Sequence, residues 1–209
     1  MKATNGNLII SLDFELFWGV FDVRSLESYK ENLEKVYNII PRLMDLSDKY
    51  NIRLTFAIVG FLFAKNKNEL IAFSPKLKPS YKNPDFRPYR LLDNIGNDES
   101  EDPYHYARSL VDIIKQNNNH EIGSHTFCHY YSNEIGQTAE EFEDDLLSTL
   151  KISKQSGISI KSFVFPRNQI NDTYLSICAK HGIKSFRGIE KHWMYNTKDT
   201  KQLENMKYR

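Results

Sequence analysis

Short apolar runs that suit buried strands alternate with longer segments of helical periodicity, and this alternation constrains the fold more than any other feature of the chain. Residues 7–13, NLIISLD, form a near-continuous apolar run, the pattern of a strand buried on both faces of a parallel sheet. Residues 28–50 then place Leu33, Val36, Tyr37, Ile40, Leu43, Met44 and Leu46 at helical spacing, with Pro41 expected to kink or split the helix. RLTFAIVG (53–60) reads as a second buried strand and HEIGSH (120–125) as a third. Between them, Asp102 and Pro103 are placed to start a helix running to about Gln116. Thr138 and Glu141 make a capping box for a helix ending near Gly157. SFVFP (162–166), a helix over 173–181 stopped by Gly182, and KSFRGI (184–189) complete the series. Five strands alternating with helices predict parallel β/α layers, fewer strands than a closed barrel needs.

Residues 65–102 break the pattern. Pro75, Pro79, Pro84 and Pro88 lie among polar residues, so an irregular excursion is expected, either a rim to a site or a solvated insertion. After Ile189 the chain is polar and offers no further strand, so a barrel incomplete at its C-terminal end is expected.

The 209 residues suit a single domain spanning 1–209. The 28 Lys and Arg are scattered and the net charge is +1, which argues against nucleic acid or an anionic membrane surface as a partner. No run approaches the roughly 20 apolar residues of an integral membrane segment, and the first residues lack a signal-peptide pattern. A cytoplasmic location is the expectation. Cys128 and Cys178 are too few for a disulfide scaffold or a Cys-rich zinc site and read as free thiols. No Gly-x-Ser-x-Gly elbow and no phosphate-cradling glycine loop occurs. The sequence carries no signal of oligomeric state.

Two local patterns carry chemistry. HTFCH separates His125 and His129 by three residues directly after a strand, and imidazoles suit zinc and similar divalent ions. Two ligands do not make a site, and the segment SLDFE supplies acids at another strand end. Residues two apart on a strand share a face, so Asp13 and Glu15 project together and Phe14 turns away. In β/α folds such strand ends form the binding mouth. Taken singly, either pattern is more simply a turn cap or a surface hydrogen-bonding pair; together they favour a metal site. Geometry alone leaves open which acid binds metal and which acts as base.

At these residues the chain resembles the polysaccharide deacetylases with a NodB-homology domain, carbohydrate esterase family four. SLDFE resembles the family's Thr-Phe-Asp-Asp-Gly with altered spacing. HTFCH matches His-Ser/Thr-x-x-His residue for residue, and FVFPRN (163–168) echoes Phe-Arg-x-Pro-Tyr-Gly. The resemblance covers roughly residues 7–190. It implies a parallel (β/α) barrel of the deacetylase type, Asp13 as general base, and a divalent metal, zinc first among candidates, on His125, His129 and a second carboxylate, whose place falls on Phe14 in a gapless match and passes to Glu15 by strand parity. The third motif has Val164 where the family has arginine and Arg167 where it has tyrosine. Arg167 is therefore expected to restore the missing charge, contacting Asp13 or a sugar substituent. Trp18 and Tyr130 are candidates to stack on a sugar, against the plainer reading of core aromatics, and Pro166 joins them as a substrate contact. No Leu-x-His follows Ile189, and neither His181 nor His192 is assigned as the acid.

The implied activity is removal of N-acetyl groups from a sugar in a glycan or lipid-linked precursor. Two other readings stay open: an amidase acting on a cyclic ureide, and an inactive metal- and glycan-binding domain of the same fold.

Overall fold

The computed structural model describes residues 8–188. In chain order the regular elements are β1 (Ile10–Phe14), α1 (Leu26–Lys49), β2 (Leu54–Ile58), α2 (Lys67–Phe73), α3 (Arg108–Gln116) and β3 (Glu121–Ser124), then α4 (Ala139–Gln155), β4 (Ser162–Phe163), α5 (Asp172–Lys180) and β5 (Ser185–Phe186). The strands form one parallel sheet in the order β1-β2-β3-β4-β5, the incomplete β/α barrel that the alternation predicts. No described helix is long and apolar enough to cross a membrane.

The register fixes where function can sit. Phe14 pairs with Ile58, Ile58 with Ser124, Ser124 with Phe163 and Phe163 with Phe186. One row of partners thus crosses all five strands at their C-terminal ends. The residues that leave this row, Glu15, His125 and Arg187, emerge at the same mouth. The sheet also curls. Four strand spacings of about 4.8 Å would put β5 about 19 Å from β1 in a flat sheet, yet Arg187 beyond β5 donates two 2.7 Å hydrogen bonds to Asp13 of β1.

Local sequence explains the helices and corrects several expectations. α1 starts at Leu26, capped by the Ser25 side chain, and runs through Pro41 unbroken. Leu33, Ile40 and Met44 are buried against the core, and that packing outweighs the one backbone hydrogen bond lost at the proline. The capping box of Thr138 and Glu141 is present on α4, and Gly157 just beyond it takes a left-handed φ of 71°. Asp102 does not start a helix. Its carboxylate accepts the N–H groups of Gly96, Tyr104 and His105 and pairs with the His105 ring, so α3 begins only at Arg108. The expected strand over 7–13 is shifted: Leu8 and Ile9 are exposed, and β1, at the edge of the sheet among the described residues, is only partly covered. Residues 65–102 are less irregular than the prolines suggest, holding α2 and two 3-10 turns at Pro84–Phe86 and Pro88–Leu91. Asn66 caps α2 by accepting from the Glu69 N–H.

The excursion folds back on the sheet mouth. Lys82 N–H donates to the Ile135 carbonyl at 2.8 Å, and the buried Tyr81 hydroxyl accepts from Tyr131 N–H at 2.6 Å. It therefore buttresses the chain that follows β3. Ile189 and the polar tail that contains His192 lie outside the described residues.

Candidate metal centre

β1 ends at Phe14, and Glu15 begins a 3-10 turn, Leu16–Gly19, that swings its side chain over the mouth. Glu15 Oε2 lies 3.1 Å from His125 Nε2 and 3.0 Å from His129 Nε2. The imidazoles are almost fully enclosed, 1% and 2% exposed, and the Glu15 side chain is 27% exposed, so solvent reaches the cluster from the acid's side.

His125 Nδ1 is 2.9 Å from the Val164 carbonyl, an atom that can only accept, so Nδ1 carries a proton and Nε2 is the nitrogen turned to Glu15. Burial pulls the His129 pKa down despite the neighbouring Glu15, and its Nδ1 is buried with no partner. Burial pushes the Glu15 carboxyl up, but hydrogen bonds and charge from His125 and His129 outweigh it and hold the group well below the usual carboxylate range. An ionised acid thus faces two enclosed imidazole nitrogens, the donor types that a divalent cation takes. The three ligand atoms lie within 4.8 Å of one another, and no other such His, Cys, Asp or Glu group occurs among the described residues. Tetrahedral zinc sets its ligands about 3.3 Å apart, within a few tenths of an ångström of the contacts here. Gly19 completes the cradle: a Cβ there would stand 2.0 Å from the Glu15 carboxyl carbon. The donor set therefore fits a divalent ion with two nitrogen ligands and one oxygen ligand.

Asp13 stands apart from this cluster. It receives the two guanidinium hydrogen bonds of Arg187, which also reaches Asn168 Oδ1 at 3.2 Å and Ser11 Oγ at 3.3 Å. The two acids of SLDFE are thereby separated by environment, one among imidazoles and one in an arginine fork.

The segment after β4 serves the mouth in ways its residue types did not reveal. Arg167 does not reach Asp13; it pairs with Asp22, whose side chain is fully buried, and lies on the Tyr131 ring at 4.3 Å. Arg167 and Asn168 both take left-handed backbone, φ 54° and 52°, which turns their side chains to opposite neighbours. Trp18 and Tyr130 are core residues with no exposed surface, so neither offers a face to a sugar. Trp18 donates to the His105 carbonyl, and the Tyr130 hydroxyl is 2.9 Å from Gln137. Pro166 is buried at the start of its 3-10 turn. Tyr131, one residue on from Tyr130, is the aromatic against His129, with ring centroids 5.2 Å apart.

The family model described as Polysaccharide deacetylase matches residues 34–186. This chain belongs to that family. The match begins after the acidic segment, so Glu15 joins the histidines through the geometry above. Among solved structures, a candidate polysaccharide deacetylase from Mycobacterium smegmatis is 13% identical with a TM-score of 0.51, covering 84% of this chain and 48% of its own. A family 4 carbohydrate esterase from Streptomyces lividans, in complex with acetate, is 15% identical with a TM-score of 0.45, covering 88% of this chain and 62% of its own. A CE4 family pseudoenzyme from Bacillus anthracis is 14% identical with a TM-score of 0.46, covering 85% and 42%. The chain thus spans about half the length of these structures, and at such identities the likeness concerns fold. No curated protein matches the sequence.

Sequence reasoning passed over two residues of this deacetylase-family site. Arg187 carried a weak signal, a lone arginine at the end of the last apolar strand. Asp145 carried a clearer one: on α4 it shares the buried face with Phe142, Leu146, Thr149 and Ile152, an acid where helical periodicity asks for an apolar residue.

Proposed function

We propose that this chain is a zinc-dependent deacetylase that removes N-acetyl groups from a sugar in a glycan or lipid-linked precursor. The observation that carries the reading is the convergence of Glu15 Oε2 on His125 Nε2 and His129 Nε2 at 3.0–3.1 Å, with Asp13 presented at the same sheet edge. Family membership supports the choice of hydrolytic chemistry.

Glu15, His125 and His129 would hold the ion, with the His125 ring oriented by the Val164 carbonyl. When bound, a divalent ion supplies a Lewis acid that lowers the pKa of its water from 15.7 to about 7 and polarises a carbonyl oxygen. Asp13 removes the proton from the water that adds to the acetyl carbonyl, with Arg187 holding the carboxylate plane in one orientation. Release of the sugar amine then requires a proton. His120 is engaged by Ser47 and the Leu54 N–H, and His181 by Glu143, both at the opposite, N-terminal ends of the strands. In this reading the proton gained by Asp13 returns to the departing nitrogen, and acetate is released.

Acetate release from chitooligosaccharides, with and without chelator, tests this. Asp13→Asn is expected to keep wild-type zinc affinity and lose turnover by about 10²–10⁴-fold. A wild-type protein that binds zinc and the oligosaccharide but releases no acetate would instead support the binding-only reading. Turnover unaffected by chelator would end the metal-dependent one.

A further inference from the structure

The loop that carries both histidines has few backbone partners of its own kind. Thr126 and His129 adopt left-handed φ values of 65° and 60°. Such backbone costs about 1–3 kcal/mol per residue and persists only where its surroundings impose it. Here the surroundings are largely side chains. Ser124 Oγ accepts from Thr126 N–H at 3.0 Å, Thr126 Oγ1 from Tyr130 N–H at 2.6 Å, and the Tyr81 hydroxyl from Tyr131 N–H. The carbonyls of Thr126 and Phe127 accept from Gly60 and Phe61 at 2.8 and 3.0 Å.

The two amides midway between the histidines go to a single residue. Phe127 N–H donates to Asp145 Oδ1 at 2.7 Å and Cys128 N–H to Asp145 Oδ2 at 3.1 Å. Asp145 has no exposed surface, and no cation pairs with it among the described residues. Burying a carboxylate without a counter-ion costs several kcal/mol, and an apolar residue at this α4 position would avoid that cost. What a carboxylate alone offers in so small a space is two acceptors, fixed about 2.2 Å apart, for two successive N–H groups. Asparagine has one acceptor and would turn an NH2 toward the second amide.

We propose that Asp145 is the positioning residue of the Glu15–His125–His129 centre, clamping the Phe127 and Cys128 amides so that both imidazoles are aimed before an ion arrives. The proposal rests on the reading that this centre binds a divalent metal. Asp145 touches neither ion nor substrate; it acts through the loop.

The test is zinc affinity of folded protein, measured by competition with a chromophoric chelator for wild type and Asp145→Asn, with melting of the metal-free proteins alongside. Outer partners that orient metal ligands change affinity by about 10–100-fold, and a loss in that range is expected for Asp145→Asn. A residue serving only the fold would lower the melting temperature and leave the affinity of the folded protein alone, and affinity within threefold of wild type overturns the proposal. If the variant does not fold, hydrogen exchange in wild-type metal-free protein decides: Phe127 and Cys128 amides are expected to be protected, and exchange at the rate of an exposed loop overturns the clamp. A wild-type protein that binds no zinc ends the metal reading and this proposal with it, whereas equal binding by both proteins ends this proposal alone.

Discussion

Replacing Gly19 with alanine separates the proposed metal centre from the fold more sharply than altering one of its proposed ligands does. A Cβ on Gly19 would lie 2.0 Å from the Glu15 carboxyl carbon, 2.1 Å from Oε1 and 2.5 Å from Cγ. Its three nearest neighbours therefore all belong to one side chain. Carbon atoms pack at about 3.5–4.0 Å, so the Glu15 carboxyl must retreat by about 1.5 Å. Carboxylates bind zinc at about 2.0–2.2 Å and tolerate about 0.2 Å of deviation, so the displaced acid leaves the ligand set. Loss of one of three protein ligands exceeds the 10–100-fold effect of an orienting partner. Zinc affinity is thus expected to fall at least about 100-fold, about 3 kcal/mol at 1.4 kcal/mol per decade. The fold has no matching reason to suffer. Gly19 is not in left-handed backbone, and Gly→Ala at a compatible site stabilises by about 0.4–1 kcal/mol through the unfolded chain. Titration calorimetry with zinc, paired with urea unfolding of the metal-free protein, reads both quantities. Zinc affinity within threefold of wild type would refute the reasoning, because it would mean that Glu15 is not held where a ligand must be.

Three further outcomes follow from the same structure. Arg187→Lys keeps the charge but loses the fork on Asp13; with the two side chains 29% and 32% exposed, stability should change by less than about 1 kcal/mol. Acetate release should fall about tenfold, and unchanged turnover would show that the fork does not aim Asp13. Burial pushes the Cys178 thiol up to about 12 and the enclosed Cys128 thiol up as well, so neither should react with Ellman's reagent until denaturant is added; labelling of the native protein would contradict their burial. Burial also pushes the Asp145 carboxyl up to about 6 from 3.8. The folded chain then binds this proton more tightly than the unfolded one, so the stability it contributes is full below about pH 4 and fades as the pH rises through 6. The unfolding free energy of wild type minus that of Asp145→Asn should therefore shrink by roughly 3 kcal/mol between pH 4 and 7, and a flat difference would show that the carboxyl is not perturbed.

Much of the fold was written in local pattern, because apolar runs and helical spacing report what each segment buries regardless of its neighbours. All five strands fall where the runs lie, and the Thr138–Glu141 box caps the helix it announced. The acid and histidine motifs were legible for the same reason: residues that leave parallel strands at their C-terminal ends share one mouth whatever the intervening loops do. Pairings that bridge distant segments were not legible. Asp13 finds Arg187 across 174 positions, and Arg167 turns instead to Asp22 across 145, because the curl of the sheet and two left-handed residues decide which guanidinium meets which acid. Trp18 and Tyr130 looked available beside the motifs, but the 3-10 turn after β1 and the packing under the histidine loop seal both inside. Sequence by itself determined the layered β/α architecture, the family and the chemistry brought to the mouth. The tertiary structure decided which acid meets the imidazoles and which the arginine, since hydrogen-bond partners are set by distances of a few ångströms that no spacing along the chain encodes.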